Sequence, residues 1–222
     1  MKFPGESDEY RAARDELLKA EIALSKETER VAALRRKLPL GGPVPEDYVF
    51  DEAVGETTKQ TKLSELFDGK ESLLLYSYMF GPRMKEPCPM CTSLIDGFDP
   101  TAKNLRRRAG IAIVVRSPID RLRTIAKERG WKNLRLLSSA NNTYHRDYFG
   151  EKDDGKQEPM LNVFSKRGGD IHHFWGSEML YAPEQKGQDS RHVDIFWPLW
   201  QLLDVTPEGR GADWYPKLRY ED

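Results

Sequence analysis

The sequence predicts an α/β fold: a mixed sheet flanked by helices and preceded by a long N-terminal helix. Three observations predict it. The chain opens with a stretch free of Gly and Pro, apolar runs then alternate with helical patterns, and two strand-like runs are joined at Gly168-Gly169. We divide the chain into a helical arm (residues 1–38), a linker (residues 39–46) and one domain (residues 47–222).

The helical arm, from Ser7 to Lys37, is dense in Ala, Leu, Glu, Lys and Arg, which favours a single helix. Apolar residues recur at every seventh position, namely Tyr10, Leu17, Leu24, Val31 and Leu38. A heptad repeat is typical of a helix that packs along a partner. Two alternatives stay open: the helix lies on its own domain, or it pairs with a second copy in a homodimer.

The domain combines hairpins with alternating strands and helices. We predict strands at residues 48–51, 57–62, 72–80, 111–116, 134–137, 160–165 and 170–175. We predict helical segments at residues 61–67, 91–108, 118–129 and 193–203, the last with a kink or a late start at Pro198. This order of elements indicates a mixed sheet with helices on both faces.

Composition excludes several functional classes. The 222 residues include 35 Lys and Arg against 36 Asp and Glu, so the formal net charge is −1. A balanced charge gives no global basis for binding nucleic acid or anionic membranes. No apolar run approaches the roughly 20 residues that span a bilayer, and the polar N-terminus has no secretory signal. We therefore expect a cytoplasmic protein without nucleic-acid or membrane partners.

The two cysteines, Cys88 and Cys91, form a Cys-Pro-Met-Cys motif between a predicted strand and a predicted helix. The thiolate is the reactive form in thiol–disulfide exchange, and the first turn of a helix stabilises an anion. Two intervening residues bring Cys91 back within reach of Cys88, so a disulfide can close. We predict that exposed Cys88 attacks a disulfide, that the more buried Cys91 resolves it, and that Arg83 or Lys85 lowers the pKa of Cys88.

Several further motifs carry a resemblance to a known family: Arg35–Pro39, Leu66–Lys70, Met79–Pro82, Cys88–Cys91 with Asp96–Asp99, Gly130-Trp131, Ser138-Ser139 and Leu203–Arg210. In them the chain resembles the bacterial family catalogued as domain of unknown function 899, described as thioredoxin-like, predicted dithiol–disulfide oxidoreductases. The resemblance implies a thioredoxin-like sheet. A strand–helix unit at residues 111–137 lengthens the stretch after the cysteines and points to the peroxiredoxin-like branch.

The resemblance also implies a substrate groove. In the thioredoxin superfamily, a proline that precedes a strand such as 160–165 is cis and faces the two cysteines. Pro159 occupies this position. It would then present the backbone of Glu158 to an extended substrate beside Cys88.

Three other functions remain as alternatives. The two thiolates could hold copper or zinc together with His172 or His173, although neighbouring strand residues point to opposite faces. A thiol-dependent peroxide reductase is disfavoured, because peroxiredoxins place a threonine three residues before the reactive cysteine, where this chain has Lys85 or Cys88. A scaffold with incidental cysteines is the third alternative.

Cofactors and electron donors can also be anticipated. The sequence contains no Gly-rich dinucleotide or phosphate loop, so we expect neither flavin nor nicotinamide, and no metal. The substrate would be a protein or small-molecule disulfide, and the electrons would come from an unidentified dithiol reductant.

Overall fold

The computed structural model describes residues 1–183, 186, 196–211 and 214–220. The chain divides into two compact units, Met1–Pro39 and Leu40–Asp222. In the first unit, helix α1 spans Asp8–Arg36, and the Ser7 hydroxyl at its N-cap accepts a hydrogen bond from the Tyr10 amide at 3.1 Å. The prediction of one long helix is confirmed. The choice between packing on its own domain and pairing with a second copy stays a prediction.

The second unit is built on a seven-stranded sheet among the described residues. Its strands are β1 (Val49–Val54), β2 (Thr57–Lys62), β3 (Ser72–Ser77), β4 (Gly110–Val115), β5 (Arg135–Ser138), β6 (Met160–Ser165) and β7 (His172–Gly176). Its α-helices are α2 (Pro89–Leu105), α3 (Ile119–Arg129), α4 (Tyr144–Asp147) and α5 (Pro198–Leu203). Short 3-10 helices lie at Leu63–Phe67 and Glu178–Tyr181. In the part of the chain described, no helix is long and apolar enough to cross a membrane.

The strand order is β2-β1-β5-β4-β3-β6-β7. Strands β3, β4 and β5 are parallel, because helices α2 and α3 provide the crossover connections between them. Strands β6 and β7 extend the sheet antiparallel beside β3, and β1 pairs antiparallel with β5. A parallel core flanked by antiparallel hairpins confirms the predicted mixed, thioredoxin-like sheet.

The central strand β4 shows how both faces of the sheet are covered. All of its residues are buried. Ile113 and Val115 pack into the core beneath α2 and α3, whereas Ala112 and Val114 pack into the core of the opposite face, beside α4. Because both faces are buried, the strand is apolar along its whole length instead of alternating.

Two segments differ from the prediction in ways that affect the site. The strand predicted to reach Phe80 ends at Ser77, and the helix predicted to begin at Cys91 already begins at Pro89. Proline suits the first turn of a helix, since its missing amide hydrogen would have no partner there. Residues 78–87 therefore form a loop that leads into α2, which we call the α2 loop.

Residues 41–44, predicted to be linker, pair with the outer edge of the sheet. The Gly41 amide donates to the His173 carbonyl at 2.9 Å, and the His173 amide donates to the Gly42 carbonyl at 3.0 Å. An edge strand has free backbone groups, which this segment satisfies. At the C-terminal end, α5 has the late start expected at Pro198, while residues 193–195 of that prediction lie outside the described residues.

Candidate active site

Cys88 is the N-cap residue of α2, and its backbone is fixed on both sides. Its amide donates to the Met79 carbonyl at 3.0 Å. Its carbonyl accepts from the Thr92 amide at 3.0 Å and from the Thr92 hydroxyl at 2.8 Å. The hydroxyls of Thr92 and Tyr78 are in turn hydrogen-bonded at 2.5 Å. The local sequence thus places one sulfur at the helix start with little freedom to move.

The thiol of Cys88 is acidic because of its immediate neighbours. The Cys91 thiol, and after it the backbone amides of Cys91 and Met90, donate to the Cys88 sulfur and lower its pKa to about 6, against an opposing effect of burial. At neutral pH most of Cys88 is therefore a thiolate. Cys88 is half-buried rather than exposed, whereas Cys91 is buried.

Cys91 has the opposite character. It is almost fully buried, and burial, followed by its contact with Cys88, raises the pKa of its thiol well above the usual range. The Tyr76 hydroxyl and the Met79 backbone lower the pKa of the same thiol and offset part of this increase. Cys91 therefore keeps its proton at neutral pH and shares that proton with the Cys88 thiolate.

Arg83 and Lys85 are not among the causes of the lowered pKa of Cys88. The Arg83 guanidinium donates to the Asp154 carbonyl at 2.7 Å. Lys85 offers its backbone carbonyl to Arg121 at 3.1 Å. The prediction that either cation lowers the pKa of Cys88 is corrected, because Cys91 and the helix amides account for the lowering.

Glu158 and Pro159 end the loop of residues 148–159, which we call the β6 loop. Their peptide bond is trans, so the cis geometry implied by the resemblance is wrong. The Glu158 amide donates to the Gly150 carbonyl at 2.9 Å, and its carboxylate pairs with Lys152 at 2.6 Å and Lys156 at 3.4 Å. These contacts engage the amide and the carboxylate of Glu158 within its own loop, and its place in a substrate groove stays a prediction.

The α2 loop and the β6 loop meet at two glycines. A Cβ atom on Gly81 would lie 2.7 Å from the Gln157 side chain. Gly155 has a φ of +79°, and a Cβ atom there would overlap the Arg83 guanidinium. Glycine permits both this backbone conformation and the close approach of the loops. The structure thus brings Arg83 and Glu158, both predicted site residues, into the same pair of loops.

A cleft of about 1530 Å³ lies beside the β6 loop. Phe149, Glu158 and Tyr181 are among its lining residues. Among the described residues that line the cleft there is neither Cys88 nor Cys91. Phe149 is 71% exposed and has a φ of 58°, a conformation that is unfavourable for a bulky residue. Burial, and after it the charges of Glu158 and Cys91, raise the pKa of Tyr181.

The histidines are engaged in other contacts. His173 Nε2 donates to the Asn162 side-chain oxygen at 2.9 Å, and His172 Nδ1 donates to the Gly41 carbonyl at 3.0 Å. His145 is buried with its Nδ1 2.5 Å from the Ser139 hydroxyl, and burial lowers its pKa to about 3. His192 lies outside the described residues. Where side chains are described, no group of three His, Cys, Asp or Glu residues is placed to hold a metal ion.

Sequence reasoning missed Tyr76 and Thr92, which contact the two cysteines. A signal for each was present. Thr92 stands four residues after Cys88, which is one helical turn, and Tyr76 shares a strand face with the residues beneath α2. Tyr181 carried no comparable signal, because only the folded chain brings its hydroxyl to the Pro159 carbonyl.

Several solved structures are similar to this chain in backbone. The peroxidoxin BcpB from Mycobacterium tuberculosis is 20% identical over 63% of this chain and 84% of that chain, with a TM-score of 0.49. A Cys-to-Ser variant of peroxiredoxin Q from Xanthomonas campestris is 16% identical over 73% and 96%, with a TM-score of 0.47. The exposed lipoprotein thioredoxin Etrx1 from Streptococcus pneumoniae is 17% identical over 70% and 99%, with a TM-score of 0.40. Similarity of this degree carries over no activity.

Sequence comparison gives a more direct assignment. None of the curated proteins matches the chain. The family model described as "Bacterial protein of unknown function (DUF899)" matches residues 2–222, which include the arm, both loops and both cysteines. The resemblance noted in the sequence is confirmed, and the chain belongs to this family.

Proposed function

We propose that the chain is a dithiol–disulfide oxidoreductase in which Cys88 attacks and Cys91 resolves. The observation that carries this proposal is the opposite shift of two thiol pKa values within one helical turn. A thiolate is needed for the attack, and a protonated neighbour keeps the second sulfur from competing in that step. Perturbed pKa values of this kind are common at functional sites.

The reaction has two balanced steps. The Cys88 thiolate attacks one sulfur of a substrate disulfide, the substrate S–S bond breaks, and the other substrate sulfur leaves as a thiolate that takes a proton from water. Cys91 then loses its proton and attacks the Cys88 sulfur, which releases the second substrate thiol and forms the Cys88–Cys91 disulfide. Two electrons pass from the protein to the substrate, and a separate dithiol, protein or small molecule, restores the reduced state.

The proposal also covers the substrate groove, the cofactors, the compartment and the oligomeric state. The β6 loop contacts the α2 loop, so Pro159 and Glu158 remain the proposed border of a substrate groove, now with a trans peptide bond. The steps above need no flavin or nicotinamide. A reducing compartment, which we take to be the cytoplasm, would keep the dithiol in its active form. Pairing of two copies through α1 remains a separate proposal.

Trapping the mixed disulfide tests the proposal. Insulin is the substrate disulfide, and the protein variants are Cys91→Ser, Cys88→Ser and the double variant. Cys91→Ser should accumulate a mixed disulfide on Cys88, visible by mass spectrometry and cleaved by dithiothreitol, because the resolving sulfur is absent. The other two variants should accumulate none. If Cys91→Ser forms no adduct while its Cys88 still reacts with iodoacetamide, the proposal is wrong.

The alternatives make different predictions. A metal-binding protein would be purified with copper or zinc bound and would lose it in Cys88→Ser; both histidines considered as ligands already donate from one ring nitrogen to protein oxygens. A peroxide reductase would consume hydrogen peroxide with a dithiol as reductant. A scaffold would keep its biological role after loss of both cysteines. The cysteine variants, together with the metal and peroxide measurements, distinguish all four functions.

A further inference from the structure

Arg121 lies in the first turn of α3 and reaches the α2 loop. Its Nη1 donates to the carbonyl oxygens of Gly81 at 3.1 Å and Pro82 at 3.5 Å. Its Nη2 donates to the carbonyl oxygens of Lys85 at 3.1 Å and of Met84. One side chain of α3 thus donates to four backbone carbonyl oxygens of the loop that leads to Cys88.

An arginine is well suited to this position. Carbonyl oxygens that converge on one point repel one another, and each needs a donor when it is shielded from water. A guanidinium carries five N–H donors in a rigid plane, whereas a lysine ammonium is a compact charge with three. The Phe80 ring lies 4.1 Å from Arg121 Cζ, and the Ser117 hydroxyl accepts from Nη1 at 3.0 Å. The guanidinium is therefore fixed by its own contacts.

The α2 loop is attached to both sulfur-bearing residues. The carbonyl of Met79, near the start of the loop, accepts from the Cys88 amide at 3.0 Å. Met79 also packs against the buried cluster that contains Cys91, and its backbone lowers the pKa of that thiol. Because the loop contacts both cysteines, its conformation decides how the Cys88 sulfur lies relative to the amides of Met90 and Cys91.

We propose that Arg121 is a positioning residue for the dithiol, holding the carbonyl oxygens of the α2 loop and thereby keeping Cys88 aligned with the first turn of α2. Arg121 acts through the loop and not by contact with a reacting sulfur. The inference rests on the proposed function for its significance, but it concerns the thiol itself and can be measured without any substrate disulfide.

The test compares Arg121→Gln and Arg121→Lys with Arg123→Gln as the matched control. Arg123 lies on the same helix and donates to the Thr57 carbonyl at 2.8 Å, away from the α2 loop. We measure the rate of Cys88 alkylation by iodoacetamide against pH in the reduced protein, and the reduction potential of the Cys88–Cys91 pair in glutathione buffers by mass spectrometry. Thermal unfolding of each variant is recorded in parallel.

In Arg121→Gln we expect Cys88 alkylation at pH 6 to be about three- to tenfold slower, since one pKa unit is a tenfold change in thiolate at low pH. The alkylation rate of Arg121→Lys should lie between those of Arg121→Gln and wild type, and the rate of Arg123→Gln should stay within about twofold of wild type. We also expect the reduction potential to change only in the Arg121 variants.

A folded Arg121→Gln variant with the wild-type pH profile and potential overturns the inference, even if its unfolding temperature is lower. If Arg121→Gln does not fold, a wild-type profile in Arg121→Lys overturns it equally. Failure of the proposed function would look different: insulin would form no adduct with Cys91→Ser, while the alkylation profiles of the Arg121 variants would still separate from the control.

Discussion

The α2 loop and the β6 loop contact each other, but their other contacts are to different parts of the chain. The α2 loop is bonded to Cys88 through the Met79 carbonyl, and Met79 packs against the cluster that contains Cys91. The β6 loop bonds mainly to itself and to α4, for example from the Lys152 amide to the Lys156 carbonyl at 2.9 Å and from the Glu151 amide to the His145 carbonyl at 3.0 Å.

The different contacts of the two loops suit two different roles, one in setting the reactivity of a thiol and one in binding a substrate. A nucleophilic sulfur needs fixed donors around it, because small displacements change its pKa. A groove that binds a substrate needs a surface of suitable shape, and the residues that shape it need not contact that sulfur. We infer that the first turn of α2 and its loop set the reactivity of Cys88, whereas the β6 loop with Glu158 and Pro159 influences which substrate reaches it.

The largest expected effect comes from removing the main donor to Cys88. In Cys91→Ala the thiol hydrogen bond to Cys88 is lost, so the pKa of Cys88 should rise from about 6 towards its ordinary value. Alkylation of Cys88 should still increase with pH, but with a midpoint more than one unit higher, and at pH 6 it should be at least about tenfold slower.

Cys91→Ser is the matched control for this experiment, since its hydroxyl can still donate to the Cys88 sulfur. Its midpoint should lie between those of wild type and Cys91→Ala. Iodoacetamide kinetics from pH 4 to pH 10, with adducts assigned by mass spectrometry, give all three midpoints. An unchanged midpoint in Cys91→Ala would mean that the helix amides alone set the pKa.

The contrast between the loops also marks what could be predicted from the sequence. The dithiol at a helix start was predictable because it is local: Cys88, Pro89 and Cys91 fall within one turn, and Pro89 favours that turn. The mixed sheet with helices on both faces followed from the alternation of strands and helices. These features depend on neighbours along the chain.

Other parts of the site depend on contacts between distant residues. Proximity in sequence suggested that Arg83 lies beside Cys88, but its guanidinium reaches Asp154 because Gly155 leaves room for it. The trans bond before Pro159 could not be derived either, since proline permits both isomers and the contacts of Glu158 form only on folding. The position of the two cysteines was predictable from the sequence, but the contacts around them were not.

A smaller effect, on the stability of the fold, is expected from a substitution where the two loops meet. Gly155→Ala forces a left-handed backbone on alanine and displaces the Arg83 guanidinium. Gly168→Ala is the control, because Gly168 has a similar φ of +83° with no atom within 4 Å of the added Cβ. By urea denaturation, Gly155→Ala should lower the free energy of unfolding by about 1 kcal/mol more than Gly168→Ala does. Equal losses would show that the Arg83 contact adds nothing to stability.

The smallest expected effect is on the thiol when the β6 loop is changed at Pro159. Alanine accepts a trans peptide bond, and its carbonyl can still accept from the Tyr181 hydroxyl, as that of Pro159 does. In Pro159→Ala, alkylation of Cys88 at pH 6 should therefore stay within about twofold of wild type, a pKa change of no more than roughly 0.5. The KM for insulin reduction should change more than kcat, because the groove and not the sulfur is altered. A midpoint that rises as far as in Cys91→Ala would instead place the β6 loop among the determinants of the Cys88 pKa, and the separation of tasks between the two loops would not hold.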